Sequence, residues 1–107
     1  WDGLRWPNSM CLDSDGNMYV AEMGGVFMDW PAVHLNMPPA RITVRDLNGR
    51  TLAEIGEDKP LTTGVWFTPH GIAVDSQGNL YVGEVTLTHT HGLAPKDWRV
   101  LRKYVRL

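Results

Sequence analysis

At 107 residues, with a net charge of -2 and 43% hydrophobic residues, the chain suits one domain with a modest core and is too short to expect two. Charge this near balance gives no electrostatic case for nucleic acid or an anionic membrane, and no apolar run approaches bilayer length. No signal-like segment opens the chain, which starts at Trp1 rather than Met. The expectation is a processed chain or part of a longer one, extracytoplasmic if a leader was lost.

In chain order, the first apolar run is Met10 to Leu12, with Cys11 inside it. A lone cysteine excludes an internal disulfide and a cysteine-built zinc site, so Cys11 reads as a small, buried, inert strand residue. A turn cluster, Asp13-Ser-Asp-Gly-Asn17, leads to a second strand, Met18 to Ala21. Met10 and Met18 fit the strand period and read as core. Calcium binding at Asp13 to Asn17 is rejected, because Gly falls at the fourth position instead of the sixth. A long loop from Met23 to Ala40 follows, rich in Gly, Met and Pro, and its Met23, Met28 and Met37 read as gap-fillers. The third strand is Arg41 to Asp46. Asn48-Gly49 then predicts a type I′ hairpin turn into a fourth strand, Thr51 to Ile55.

The chain then repeats itself. Shifting it by 62 residues lays PNSMCLDSDGNMYVAEM (7–23) on PHGIAVDSQGNLYVGEV (69–85), with eight of the 17 positions identical. The second copy gives strands at Ile72 to Val74 and Leu80 to Gly83, a loop from Val85 to Trp98, and a third strand, Arg99 to Tyr104. The apolar first strands suggest burial on both faces, and no segment shows a sustained helical period.

Four-stranded antiparallel units in tandem, joined by Gly- and Pro-bearing loops, describe the blades of a β-propeller, an all-β fold. Residues 7–56 form one blade, 69–107 a partial one, and 57–68 the connection, all within one domain. The run Pro69-His70-Gly-Ile-Ala-Val-Asp75-x-x-Gly-Asn-Leu-Tyr-Val82, an acidic residue and then an Arg opening the next strand resembles an NHL repeat. That resemblance implies a six-bladed ring of which this chain is a C-terminal part, with the remaining blades as its first partners. Several copies assembling into a ring is the alternative; the unequal loops and the missing fourth strand count against it.

Candidate chemistry centres on the position before each innermost strand, held by Asn8 and His70, which a propeller places at the mouth of its channel. Imidazole nitrogen and amide oxygen both suit a divalent cation, zinc or calcium. Pro69-His70-x-Ile72 resembles the motif that supplies zinc-binding histidines in peptidyl-amidoglycolate lyases. Asn8 matches, in part, the metal-binding Pro-Asn-Gly of gluconolactonase-like propellers, Ser9 replacing the Gly. The resemblance thus implies a metal-dependent lyase with His70 as ligand. A non-catalytic scaffold for a protein, glycan, peptide or small ligand is the other reading.

The remaining candidates are weaker. His89 and His91 form an i, i+2 pair that shares one side if extended, and incidental loop histidines explain them as well. His34, Trp30, Trp66 and Trp98 stand near loops, as rim residues or as packing beneath them. Glu22 with Arg41, and Glu84 with Arg99, are expected to pair across strands and fix each blade.

Overall fold

The computed structural model describes residues 1–24, 39–56, 68–89 and 96–107. The described chain is mostly β, in two antiparallel sheets. Sheet A takes β1 (Pro7–Leu12), β2 (Met18–Glu22), β3 (Arg41–Arg45) and β4 (Thr51–Ile55) in sequential order. Sheet B takes β5 (Pro69–Val74), β6 (Leu80–Glu84) and β7 (Leu101–Tyr104) in the same order. One helical turn, α1 (Thr86–His89), follows β6 in a stretch whose sequence carries no helical period. Among the described residues, no helix is long and apolar enough to cross a membrane.

Three hairpin turns share one construction. In each, an Asp carbonyl accepts the N–H of the Gly three residues on, and the same Asp donates its own N–H to the carbonyl one residue later: Asp13 with Gly16 and Asn17, Asp46 with Gly49 and Arg50, Asp75 with Gly78 and Asn79. The Asp carboxylate also accepts backbone N–H groups inside the turn. Gly16, Gly49 and Gly78 stand at φ 82°, 86° and 81°, where a side chain is strained. Asn48 does not share the positive φ that a type I′ turn needs at both central residues. The expected I′ turn is therefore a type I turn closed by a left-handed Gly, the three-residue hairpin loop.

Directly paired residues of an antiparallel sheet point to one face, and neighbours along a strand alternate. The registers therefore put Tyr19, Ile42 and Ile55 on one face of sheet A, and Ile72, Leu80, Val82 and Tyr104 on one face of sheet B. These seven residues make a core cluster between the sheets, with Ile42, Leu80 and Val82 buried; Val20, Ala21, Met23 and Ala40 are buried as well. The two sheets are thus stacked face to face, with β1 beside β5. Burying each such aliphatic side chain contributes about 1.5–3 kcal/mol.

The opposite face of sheet A is crossed by residues 1–6. Trp1 lies against Gly49, Arg45 donates to the Asp2 carbonyl (3.1 Å), Arg41 to that of Gly3 (2.6 Å), and the Arg5 N–H to Glu22 (2.6 Å). This strap leaves β1 uncovered on that side. Met10, expected in the core, is 61% exposed and Leu12 54%, while Met18 is half-buried. Burial of the first strands on both faces therefore does not hold: Ala73 of β5 is exposed as well. Cys11 is half-buried rather than buried, and burial together with the nearby Asp13 charge raises its thiol pKa.

Candidate functional site

Both sheets begin with the same irregularity. Pro7 pairs with Glu22 and Ser9 with Ala21, so Asn8 has no opposite number; Pro69 pairs with Glu84 and Gly71 with Gly83, so His70 has none. Each candidate residue is therefore the extra residue of a β-bulge, a device that re-aims a side chain out of the ladder. Both are exposed, at corresponding ends of strands that lie side by side. Asn8 Nδ2 donates to the sulfur of buried Met23 at 3.1 Å, so Oδ1 is the atom a cation would need. The repeat continues through the backbone here: the Trp6 carbonyl accepts the Met23 N–H, and the Thr68 carbonyl accepts that of Val85, both at 3.1 Å.

Behind each bulge stands a buried carboxylate. Glu22 Oε2 accepts from the Arg5 N–H and from Arg41 Nε (3.1 Å), and Oε1 from the Thr43 hydroxyl (2.6 Å), with Arg45 Nη2 at 3.8 Å. The expected Glu22–Arg41 pair is present, and Arg41 also reaches Glu54 at 2.7 Å. Glu84 Oε1 accepts from Arg102 Nε at 2.7 Å. Its Oε2 accepts from the Thr86 hydroxyl and from Trp98 Nε1, both at 2.7 Å, and Thr68 in turn donates to Thr86.

This corrects one expectation. The partner of Glu84 is Arg102 rather than Arg99, which lies exposed ahead of β7, so the third strand of sheet B starts at Leu101. Of the two readings open for Trp98, the structure shows the packed one: it is half-buried, bonded to Glu84, and under the Arg102 guanidinium at 5.1 Å. With their oxygens so occupied by donors, Glu22 and Glu84 are structural anchors of the bulged ends, not bases poised for a substrate.

His89 closes α1, so this part of the segment is helical rather than extended. Trp30, His34, Trp66 and His91 lie outside the described residues, as do most of the loops expected to form the rim. Among the described residues, no three His, Cys, Asp or Glu side chains group as a metal site would require. Asn8 and His70 supply two donors at most, so the described residues do not by themselves fit a metal.

Compared with known proteins, the chain matches no protein-family model, no curated protein and no solved structure.

Proposed function

We propose that the two sheets are adjacent blades of an NHL-type β-propeller, a C-terminal portion of a six-bladed ring completed by further sheets of the same kind, and that function resides at the bulged ends of β1 and β5. The observation that carries this reading is the repeated bulge, which lifts Asn8 and His70 out of the ladder at matching places in neighbouring sheets. In a ring, the corresponding positions of other sheets would converge on the same mouth and bring donors beyond the two that the described residues supply. The activity that fits is that of a metal-dependent lyase resembling peptidyl-amidoglycolate lyases, with His70 as ligand to a zinc or calcium ion that supplies Lewis-acid chemistry when bound. Asn8 would be a polar contact beside it.

The scaffold reading draws on a specific observation, the lack of a three-ligand group among the described residues. Metal analysis of the intact protein separates the two. The lyase reading expects stoichiometric divalent metal that falls in His70→Ala while the far-UV circular dichroism spectrum holds. A metal-free protein, or metal and activity untouched by His70→Ala, would leave a binding propeller for a small-molecule or peptide ligand.

A further inference from the structure

Among the described residues, the turn between β3 and β4 carries the one asparagine whose side chain the fold does not hold. Asn17 and Asn79 give Nδ2 to the carboxylates of Asp13 and Asp75, both at 2.9 Å, and Asn8 gives its Nδ2 to Met23. Asn48 is exposed, and no hydrogen bond joins its side chain to another described residue; its backbone N–H goes to Asp46 Oδ1 at 3.0 Å. It is also the one followed by a glycine, Gly49, whereas Ser9, Met18 and Leu80 follow the others. A glycine leaves its own backbone nitrogen uncrowded by any Cβ. Asp2-Gly3 and Asp15-Gly16 share that feature, but a carboxylate at neutral pH resists nucleophilic attack more than an amide does.

We propose that Asn48 is a site of spontaneous deamidation, and that its isoaspartyl product loosens the hold of the β3–β4 turn on the strap of residues 1–6. The Gly49 nitrogen, once deprotonated, attacks Asn48 Cγ. The N–Cγ bond forms, the Cγ–Nδ2 bond breaks, and the side-chain nitrogen leaves as ammonia with the proton that Gly49 gave up. Water then opens the cyclic imide. Opening at Cγ leaves an ordinary aspartyl residue; opening at the main-chain carbonyl leaves an isoaspartyl link, whose backbone is longer by one carbon. Water is the only co-reactant. The Gly49 N–H is bonded to the Asp46 carbonyl at 2.9 Å, which slows the attack, but a turn at the surface opens locally without unfolding the sheet.

The product matters because Gly49 is where the turn meets the strap. Its carbonyl accepts from Arg45 Nη1 at 3.0 Å, and the same nitrogen reaches the Asp2 carbonyl at 3.1 Å. The Trp1 ring packs so closely on Gly49 that an added Cβ would stand 2.6 Å from it. Asp46 gathers the Asn48 and Arg50 N–H groups on one oxygen, Oδ1, at 3.0 and 2.9 Å. A backbone lengthened by one carbon between positions 48 and 49 cannot keep both of these bonds and the placement of Gly49. Trp1 and Asp2 then lose their seats. Fraying of the strap reaches Arg5, whose N–H is given to Glu22 and whose carbonyl accepts from the Gly24 N–H. The Arg5–Trp6 bond is thereby opened to trypsin.

Storage of the whole chain in mildly alkaline buffer, followed by peptide mass spectrometry, tests this. The peptide holding Asn48 should gain the mass difference between an amide and a carboxyl before those holding Asn8, Asn17 and Asn79. It should split into two products, one of them labelled by an isoaspartyl methyltransferase. Brief trypsin treatment of the stored chain, still folded by circular dichroism, should cut after Arg5 faster than in fresh chain. Asn48→Gln, at an exposed position without left-handed φ, should abolish both changes. Fresh Asn48→Asp, which adds the charge without the longer backbone, should keep the Arg5 site protected. An Asn48 peptide that converts no faster than those of Asn17 and Asn79, conversion that leaves cleavage after Arg5 unchanged, or Asn48→Asp that opens the site by itself would each overturn the proposal. None of these outcomes depends on metal content, so this inference and the lyase reading can fail separately.

Discussion

Arg102 and Glu84 meet at 2.7 Å from a register position that, in the first sheet, belongs to a threonine. Glu22 faces Arg41 across the strands and takes Thr43 from the Val20–Thr43 pair two residues along; in sheet B the position opposite Glu84 is Val100, and Arg102 stands where Thr43 would. The carboxylate is conserved between the two copies, while its cation is supplied from another rung. Glu84 is fully buried and the Arg102 side chain nearly so. Arg102→Ala should therefore cost about 3–5 kcal/mol, the loss expected when one partner of a buried pair is removed. Arg99→Ala should stay within about 0.5 kcal/mol, as for exposed positions without special contacts. Urea-denaturation midpoints of the two variants decide the matter, and equal losses would return the pairing to Arg99.

Trp98 offers a test of the same carboxylate from its other oxygen. Trp98→Phe keeps an aromatic face beneath the Arg102 guanidinium and deletes only the Nε1 donor. The expected loss is about 1.5–3 kcal/mol, the range for a hydrogen bond to a charged group. A ligand-stacking role would leave stability unmoved in the absence of ligand, so the denaturation curve of the ligand-free chain distinguishes the two.

Strands and turns were legible in the sequence because their signals are local: alternation over a few residues, Asp-x-x-Gly turns, and a second copy that repeats both. The Arg102 pairing was not, because register in sheet B follows from the length of its loop, in which Glu84 and Val100 are separated by three residues fewer than Glu22 and Arg41. Met10 was misread for a related reason. Its period says that it faces one side of a sheet, but whether that side is covered depends on what is stacked there. At the candidate site the residue types at 8 and 70 were legible and the bulge was not. The signal that bears on it is Pro7 and Pro69, which have no N–H to give the ladder at the place where the register slips.

Cys11 should be a slow thiol. Burial raises its pKa first and the neighbouring Asp13 charge raises it further, outweighing a hydrogen bond involving the Val74 backbone. Since the thiolate is the reactive species, alkylation at neutral pH should be slower than for a small-molecule thiol and should speed up on denaturation. A native-state rate equal to the denatured one would show that the thiol is neither shielded nor shifted.

The three turn aspartates make the fold sensitive to acid in a defined window. Asp75 is held below the ordinary carboxylate range by the Asn79 side-chain amide and backbone N–H, then by the Gln77 N–H and the Tyr81 hydroxyl. Asp46 is lowered mainly by the Arg50 N–H, with help from Asn48 and the Arg50 guanidinium. For Asp13 desolvation is the largest single influence and pulls upward, but the hydrogen bonds from Asn17, Asp15 and Tyr19 together outweigh it. A carboxylate whose folded pKa is depressed adds stability that is complete above its unfolded value, about 3.9, and that is lost as pH falls through the lower folded value. These turns should therefore contribute fully at neutral pH and progressively less below about pH 4. Asp75→Asn should lower the urea midpoint at pH 7, and the gap to the unaltered chain should narrow as pH falls from the unfolded value through the lowered folded one and the native carboxyl is protonated too. A gap that keeps its full size across that range would mean that the ionised carboxylate is not what the turn depends on.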